Sequence, residues 1–271
     1  ILSGLVGSEM CIRDRVDATM LAHWMRDTFC LPAGLTHIKD DVTNITQGDN
    51  GWVTGLSTKE NGELVADLYV DCTGFKSMLL GGAMQVPYHS WSEDLPNNKA
   101  WATHKPYTDD IENEMVMWTN CVGLGNGWAW NIPLWNHVGV GYVFSDKFTD
   151  SDDALVEFQK HIGHGDDLDY KLIDIKNGRY ERPWVNNVVA IGLANGFVEP
   201  LESTSIFFMH NNLISFLSLI KQNKLPQDVQ MVSIGAWDQG ALETDINYFF
   251  LWNQEKIDMY NKYVHDTFSC T

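Results

Sequence analysis

The sequence predicts a mixed α/β (α+β) fold, and three observations support this prediction. The 271 residues are 44% apolar, which is enough to build a substantial core. Segments of alternating hydrophobicity are separated by Asn-Gly turns, an arrangement typical of strands joined by tight hairpins. Segments with the helical spacing of apolar residues lie before and after these strands, in an irregular order and without internal repeats.

The first half of the chain is predicted to hold one helix and a β-meander. Asp17 can cap a helix in which apolar residues recur at helical spacing, namely Met20, Leu21, Trp24 and Met25. Three strand-like runs follow, at residues 36–46, 52–58 and 63–72. The turns between them supply the positive φ angles of tight hairpins, so we expect the three runs to pair in sequence order.

The second half alternates strands and helices irregularly. The predicted strands lie at residues 115–120, 127–133, 138–145 and 188–192. Three helices are predicted: one that begins near Ser151, one at about residues 203–222 and one at residues 253–267. This order favours a mixed architecture over a regular doubly wound sheet.

Both ends of the chain are interpreted as truncated. Residues 1–15 show no convincing period and resemble translated adaptor sequence, so they are expected to be a non-native leader. Residues 16–271 are expected to form one incomplete domain, because helical patterning starts directly at Val16 and the last helical stretch has no Gly or Pro stop.

Charge and cysteine content argue against several classes of function. The net charge of −18 disfavours binding to nucleic acid and to anionic membranes, because both require a positively charged face. The five cysteines are scattered without a Cys-x-x-Cys pair or a Cys/His cluster, so neither a metal site nor a disulfide framework is predicted. No apolar run approaches the roughly 20 residues of a membrane span. We therefore expect a soluble protein in reducing, cytoplasmic surroundings.

The segment VVAIGLANGFVEPLESTSIFF is the most informative part of the chain. It is typical of a buried strand, a glycine-bearing loop and the start of a helix. The first N–H groups of a helix lack internal partners and lie at the positive end of the helix dipole, so a small anion suits this place. Ser203, Thr204 and Ser205 offer donors there. The alternative is that Ser203 only caps the helix.

Several stretches resemble the flavin-dependent tryptophan halogenase family. Residues 196–204 read GFVEPLEST, and residues 127–133 contain the motif WxWxIP intact. The stretches VDATMLAHWMRD, DLYVDCTGFKSML, VGVGYVFSDKF and NGRYERPWVNNVVAIG also match, in the order of the family, so that the resemblance covers residues 16 to about 268. It implies a partial FAD-monooxygenase-like fold with a β-meander and a substrate-domain sheet. Because no GxGxxG follows a strand in this chain, the N-terminal dinucleotide loop is expected to be lacking.

The resemblance also implies an enzyme that uses FAD as FADH2, oxygen and a halide ion, chloride or bromide, to halogenate a small aromatic substrate. Tryptophan or another indole is the leading substrate class. Glu202 takes the place of the catalytic glutamate, which polarises the halogenating species or accepts the ring proton. Thr204 and Ser205 take the place where backbone N–H groups bind halide. Ser205 replaces the commoner Gly, and its side chain is expected to restrict halide size or to shift the loop.

Flavin contacts are implied at further positions. Val42, Leu193 and Ile206 match flavin-contacting residues of the family. Residues 71–75, DCTGF, look like the second flavin motif of the wider FAD monooxygenase superfamily, although a strand that ends in a turn gives the same pattern.

An aromatic partition is implied in the WxWxIP motif. Trp128, Trp130 and Pro133 resemble the wall that keeps the organic substrate away from the flavin. The alternative is that the two tryptophans are core side chains on one face of a strand.

Two other functions stay open on the sequence alone. An FAD-dependent aromatic monooxygenase would share the scaffold without the halide step. The second alternative is that the chain as written is an inactive fragment. The catalytic Lys of the family lies upstream of the matched region, and none of Lys76, Lys99 and Lys105 occupies its place. For the parent protein the resemblance implies a flavin reductase as FADH2 supplier, and it leaves a homodimer open.

Overall fold

The computed structural model describes residues 17–116, 118–202 and 204–221, so the helix predicted at residues 253–267 lies outside the described residues. The chain divides into two compact units. We call the first the sheet unit, which comprises Ile1–Lys39 and Asp94–Ile175. The second is the motif unit, which comprises Asp40–Glu93 and Lys176–Thr271.

Short strands dominate the described part of the chain. The strands are β1 Val42–Gln47, β2 Val53–Thr58, β3 Glu63–Leu64, β4 Tyr69–Asp71, β5 Tyr88–Ser90, β6 Lys99–Lys105, β7 Asn120–Leu124, β8 Gly127–Pro133, β9 Val138–Phe144, β10 Lys171–Asp174, β11 Gly178–Tyr180, β12 Trp184–Val185, β13 Val188–Ala190 and β14 Gly196–Phe197.

The helical elements are fewer. The α-helices are α1 Ala18–Met25, α2 Ile111–Glu114, α3 Ser151–Ile162 and α4 Thr204–Lys221. The part of the chain that the structure describes also holds π-helices at Arg26–Cys30 and Met78–Ala83 and 3₁₀ turns at Gly74–Lys76, Gly192–Ala194 and Pro200–Glu202. Within the described residues, no helix combines the length and the apolar composition that a membrane crossing requires.

The sheet unit is built on five antiparallel strands in the order β10-β6-β9-β8-β7. Its core cluster joins Tyr142 and Phe144 of β9 to Ala154 and Phe158 of α3. The ring centroids of Tyr142 and Phe158 lie 6.3 Å apart. Even-numbered residues of β9 therefore face α3, and the odd-numbered residues line the opposite face of the sheet.

Local signals account for α3 and for its predicted start. Asp150 Oδ1 accepts a hydrogen bond from the Asp153 amide at 2.8 Å, and Gly163 ends the helix in the left-handed region at φ 74°. The strands predicted at residues 127–133 and 138–145 are confirmed as β8 and β9.

The strand predicted at residues 115–120 is wrong. α2 ends at Glu114, and the strand β7 begins only at Asn120. The Glu114 carboxylate accepts hydrogen bonds from the Thr108 amide at 2.7 Å and from Lys105 Nζ at 3.5 Å. These hydrogen bonds stabilise a short helical turn. The apolar pattern from which a strand is predicted contains no information on such side-chain contacts.

The helix α1 begins where the sequence predicts. Asp17 Oδ1 accepts from the Met20 amide at 2.9 Å, and this hydrogen bond holds the pKa of Asp17 below its ordinary value. Within the described residues, α1 buries none of its side chains, and Met20 is 64% exposed. The helical periodicity is thus correct, although its apolar side chains are not part of a described core.

The described residues of the motif unit form three small sheets. β1, β2 and β3 form an antiparallel meander, β14-β11-β5 form a second antiparallel sheet, and β12-β13-β4 form the third. In the third sheet β13 pairs with β4 in parallel. The helix predicted at about residues 203–222 is confirmed as α4, and its Phe216 packs on Trp184 with ring centroids 5.4 Å apart.

Both hairpins of the predicted meander are correct, and the extent of its last strand is wrong. Residues 63–72 divide into β3, which pairs with β2, and β4, which leaves the meander. The Tyr69 hydroxyl accepts from the Ala66 amide at 3.0 Å and turns the chain between the two strands. β4 then finds its partner in β13, far along the sequence, and hydrophobic alternation carries no information on such a pairing.

The fully buried Asp71 at the end of β4 organises the turn that follows. Its Oδ1 accepts from the Thr73 amide at 3.0 Å and from the Thr73 hydroxyl at 2.7 Å. Its Oδ2 accepts from the amides of Leu79 at 2.8 Å and Leu80 at 2.9 Å. These two amides belong to the first turn of the π-helix, where no intrahelical acceptor exists, so the carboxylate supplies one.

Replacing Asp71 by Asn should destabilise the motif unit, because an amide side chain places N–H groups against amide donors. We expect the free energy of unfolding to fall by about 2–4 kcal/mol, measured by urea denaturation. Asp67→Asn is the matched control, since Asp67 is an exposed carboxylate in the same unit. Equal unfolding midpoints for the two variants would contradict the role assigned to Asp71.

Candidate functional site

Two of the motifs meet at one edge of the motif unit. β4 and β13 run in parallel, with Val70 opposite Val189 and Asp71 opposite Ala190. The carboxyl ends of parallel strands leave a sheet at the same edge, where α/β proteins bind their ligands. The DCTGF loop follows β4, and the GLANGFVEP loop follows β13.

Direct contacts join these two loops. The Ser77 hydroxyl donates to the Ala194 carbonyl at 2.8 Å, and the rings of Phe75 and Phe197 stack edge to face with centroids 5.4 Å apart. The Ile191 amide donates to the Asp71 carbonyl at 3.0 Å. The two motifs, which are far apart in the sequence, therefore form one continuous surface.

Two glycines give the loops their shape. Gly74 and Gly192 have φ angles of 67° and 68°, in the left-handed region that side chains rarely adopt. Gly192 also lies under α4, because a Cβ at this position would be 3.5 Å from Sδ of Met209. The loop after β13 is thus held between its sheet and the helix that follows it.

The start of α4 is the place predicted to bind halide. Pro200–Glu202 forms a 3₁₀ turn, and Thr204 and Ser205 are the first two residues of α4, so their amides lack intrahelical acceptors. Glu202 is the last residue of the 3₁₀ turn. Ser203, the predicted cap, lies outside the described residues.

The Ser205 side chain is engaged with its own loop. Its hydroxyl accepts from the Val198 amide at 3.4 Å and donates to the Val198 carbonyl at 3.3 Å. These contacts occupy the hydroxyl with the loop itself, and the two effects expected when Ser replaces Gly, a restriction of halide size and a shift of the loop, stay predictions. Only the amide of Ser205 is then left to face an anion.

The flavin-contacting positions predicted in this unit lie on different elements. Leu193 is in the 3₁₀ turn after β13 and Ile206 is in the first turn of α4, and both are exposed, by 39% and 62%. Their two elements pack together through Gly192 and Met209. Val42 begins β1 in the meander, where it pairs with Thr58.

The structure points to two residues of this edge that the sequence patterns missed. Ser77 is fully buried at φ 43°, and no local pattern signals a serine in that conformation. Asn195 is also buried, and its Oδ1 has no hydrogen-bond partner among the described residues. An unpaired buried acceptor is costly, which makes the loop suited to a ligand that brings a donor.

The tryptophans of the WxWxIP motif lie in the sheet unit, on β8. Trp128 and Trp130 lie on one face of the strand, with ring centroids 6.1 Å apart. Their partners on β9 are Val143 and Gly141, on the face of the sheet opposite α3. Neither side chain belongs to the buried cluster around α3, and both are half-buried.

Pro133 is separated from the two tryptophans by the alternation of the strand. It ends β8 and pairs with Val138, which belongs to the cluster on the α3 side.

Cys121 of β7 pairs with Trp130, and burial raises the pKa of its thiol. Across the described ranges, no group of three His, Cys, Asp or Glu side chains is arranged to hold a metal ion.

Gly141→Ala should displace the Trp130 indole, because a Cβ at Gly141 would overlap its benzene ring. We expect a loss of about 1–3 kcal/mol of unfolding free energy and a changed near-ultraviolet circular dichroism spectrum. The control is Gly139→Ala on the same strand and face, where the nearest atom to a Cβ is the Ile132 carbonyl oxygen at 3.7 Å. A spectrum unchanged by Gly141→Ala would place the indole elsewhere.

Comparisons with known proteins place most of the chain in one family. The family described as "Tryptophan halogenase" matches residues 14–241. Tryptophan 6-halogenase SttH of Streptomyces toxytricini is 38% identical over 197 residues, 72% of this chain and 37% of that protein. Tryptophan 7-halogenase RebH of Lentzea aerocolonigenes is 37% identical over 196 residues, with 72% of this chain and 37% of that protein covered.

Solved structures agree with the sequence comparison. The flavin-dependent halogenase BrvH from Brevundimonas sp. BAL3 is 28% identical, with a TM-score of 0.74 over 84% of this chain and 45% of that one. The chain therefore spans less than half the length of the relatives it matches, and its mixed α/β fold is that of the FAD-monooxygenase-like halogenases. On these matches, the chain belongs to the flavin-dependent tryptophan halogenase family.

Proposed function

We propose that the protein of which this chain forms a part halogenates the ring of tryptophan or of another small indole, with FADH2, oxygen and a halide ion. The observation that carries the proposal is the edge of the motif unit, where the DCTGF and GLANGFVEP loops meet and α4 begins. The relatives named tryptophan 6-halogenase and tryptophan 7-halogenase support the substrate class.

The residues of this edge fit a flavin. Leu193 and Ile206 offer exposed apolar side chains to a planar ring, and Asn195 offers its buried side-chain oxygen Oδ1, which has no partner among the described residues. Gly74 and Gly192 leave the backbone of both loops open to close approach. Val42 would make a further contact from β1. When reduced FAD is bound, its reaction with oxygen supplies the oxidising power that turns halide into an electrophile.

The first turn of α4 would bind the halide substrate. The amides of Thr204 and Ser205 are donors without intrahelical acceptors, and the positive end of the helix dipole adds to their attraction for an anion. The Ser205 hydroxyl is engaged with Val198, so it would hold the loop rather than bind the ion. The chloride or bromide ion would therefore be held by backbone groups.

Glu202 would act on the aromatic substrate. It ends the 3₁₀ turn immediately before α4, so it is tied to the same loop as the halide amides. A carboxylate in this place can polarise the halogenating species and accept the proton that the ring loses on substitution. In this loop the amides of Thr204 and Ser205 would bind the halide, and the Glu202 carboxylate would accept the proton.

Trp128 and Trp130 would keep the organic substrate apart from the flavin. Support comes from their position on the face of the sheet that α3 leaves uncovered, where their indoles are half-buried. Pro133 would end this strand without lining the same face. Separate compartments would favour halogenation over direct hydroxylation of the substrate. The protein partner in this proposal is a flavin reductase, which would supply FADH2. The proposed location of the enzyme is the cytoplasm.

The complete protein, supplied with FAD, a flavin reductase, NADH and tryptophan, should form a halogenated product only when chloride or bromide is present. Mass spectrometry identifies the product by its halogen isotope pattern, and a panel of indoles and phenols extends the test. Hydroxylated product in the absence of halide would instead support an FAD-dependent aromatic monooxygenase.

Glu202→Gln should lower the turnover number about 100-fold or more while leaving FAD affinity unchanged, because the amide cannot accept a proton. The measurements are steady-state product formation and FAD fluorescence quenching. Glu181→Gln, which makes the same charge change in the same unit but outside both loops, is the control. Retained halogenation in Glu202→Gln would refute its assigned role.

A further inference from the structure

Ser77 combines complete burial with an unfavourable backbone conformation. It lies between the 3₁₀ turn Gly74–Lys76 and the π-helix Met78–Ala83, and its φ of 43° is in the left-handed region. A residue with a Cβ pays for this conformation, whereas glycine adopts it freely. Such a residue persists where its surroundings hold it, and these places are often functional.

The hydroxyl of Ser77 makes two hydrogen bonds that glycine could not make. It donates to the Ala194 carbonyl at 2.8 Å and accepts from the Gly81 amide at 3.1 Å. The Ser77 carbonyl meanwhile accepts from the amides of Gly81 at 3.0 Å and Gly82 at 2.8 Å. One buried side chain therefore connects the DCTGF loop, the π-helix and the loop after β13.

The bond to Ala194 is placed where it can control the second loop. Ala194 ends the 3₁₀ turn that carries Leu193, and Asn195 follows it directly. The backbone amide of Asn195 is itself fixed, because it donates to the Gly192 carbonyl at 3.0 Å. With the Ala194 carbonyl and the Asn195 amide both held, the peptide between these two residues is oriented from two sides.

We propose that Ser77 is a positioning residue, whose hydroxyl fixes the loop after β13 in the conformation that receives the flavin. The inference rests on the proposed function for its ligand, and on the buried bond to Ala194 for its mechanism. The side chain is retained at a strained φ because the bond to Ala194 requires it. Ser77 acts through the loop and makes no contact with the reacting atoms.

Two substitutions in the complete protein separate positioning from stability. Ser77→Gly relieves the backbone strain and removes the hydroxyl, whereas Ser77→Ala keeps the strain and removes the hydroxyl. Ser77→Ala should therefore unfold at a lower urea concentration than Ser77→Gly. FAD affinity, measured by fluorescence quenching, should fall equally in both variants, by about threefold to tenfold.

Hydrogen exchange in the flavin-free protein provides a readout that does not depend on the ligand. Peptides that cover residues 192–198 should exchange faster in Ser77→Gly and Ser77→Ala than in the wild type. Asn186→Gly is the matched control, since Asn186 also has a positive φ of 52° in the same unit but lies in the turn between β12 and β13. It should change neither the exchange of residues 192–198 nor FAD affinity.

The outcomes are distinct. Unchanged exchange in both Ser77 variants overturns the inference, whether or not the protein binds flavin. Faster exchange with unchanged FAD affinity also overturns it, as does an affinity that follows stability, with Ser77→Gly close to the wild type. If the wild type forms no halogenated product and binds no FAD, the proposed function fails, and the exchange rates alone then decide whether Ser77 fixes the loop.

Discussion

The parallel pairing of β4 with β13 is the constraint on which the candidate site depends. It aligns Asp71 with Ala190, so that the two strands deliver their loops to one edge of the sheet. The buried carboxylate of Asp71 accepts hydrogen bonds from two amides in the first turn of the π-helix. The Ser77 hydroxyl then binds the loop after β13 through the Ala194 carbonyl. Without this pairing, the two motifs would be unrelated surface turns.

Much of the fold could be predicted from local signals. The caps at Asp17 and Asp150 mark the starts of α1 and α3, and the alternating runs in β8 and β9 define their strands. These features depend on residues that are neighbours in the sequence, so a pattern can contain them. The departure of β4 from the meander depends on a distant partner, and the short turn at Glu114 depends on bonds from Lys105 and Thr108. Hydrophobic periodicity predicts neither of these two features.

The site shows the same limit at the level of single residues. The sequence predicts a helix from about residue 203 and a shared face for Trp128 and Trp130, and the structure shows α4 from Thr204 and the two indoles on one face of β8. Spacing also separates Pro133 from the tryptophans, although membership of one motif suggested a common wall. Ser77 and Asn195 matter because of burial and of what their polar atoms contact, and these properties arise only when the chain is folded.

The distance along the chain between β4 and β13 also bears on the order of folding. The meander β1–β3 consists of neighbours in sequence, so its loops close at little entropic cost, whereas β4 must wait for a partner that follows the whole of the sheet unit's main segment. During synthesis Asp71 leaves the ribosome well before Ala190 does. Its carboxylate has all its described partners within nine residues, so the turn after β4 can form early, whereas the edge that the two loops share takes shape only when β13 has been made.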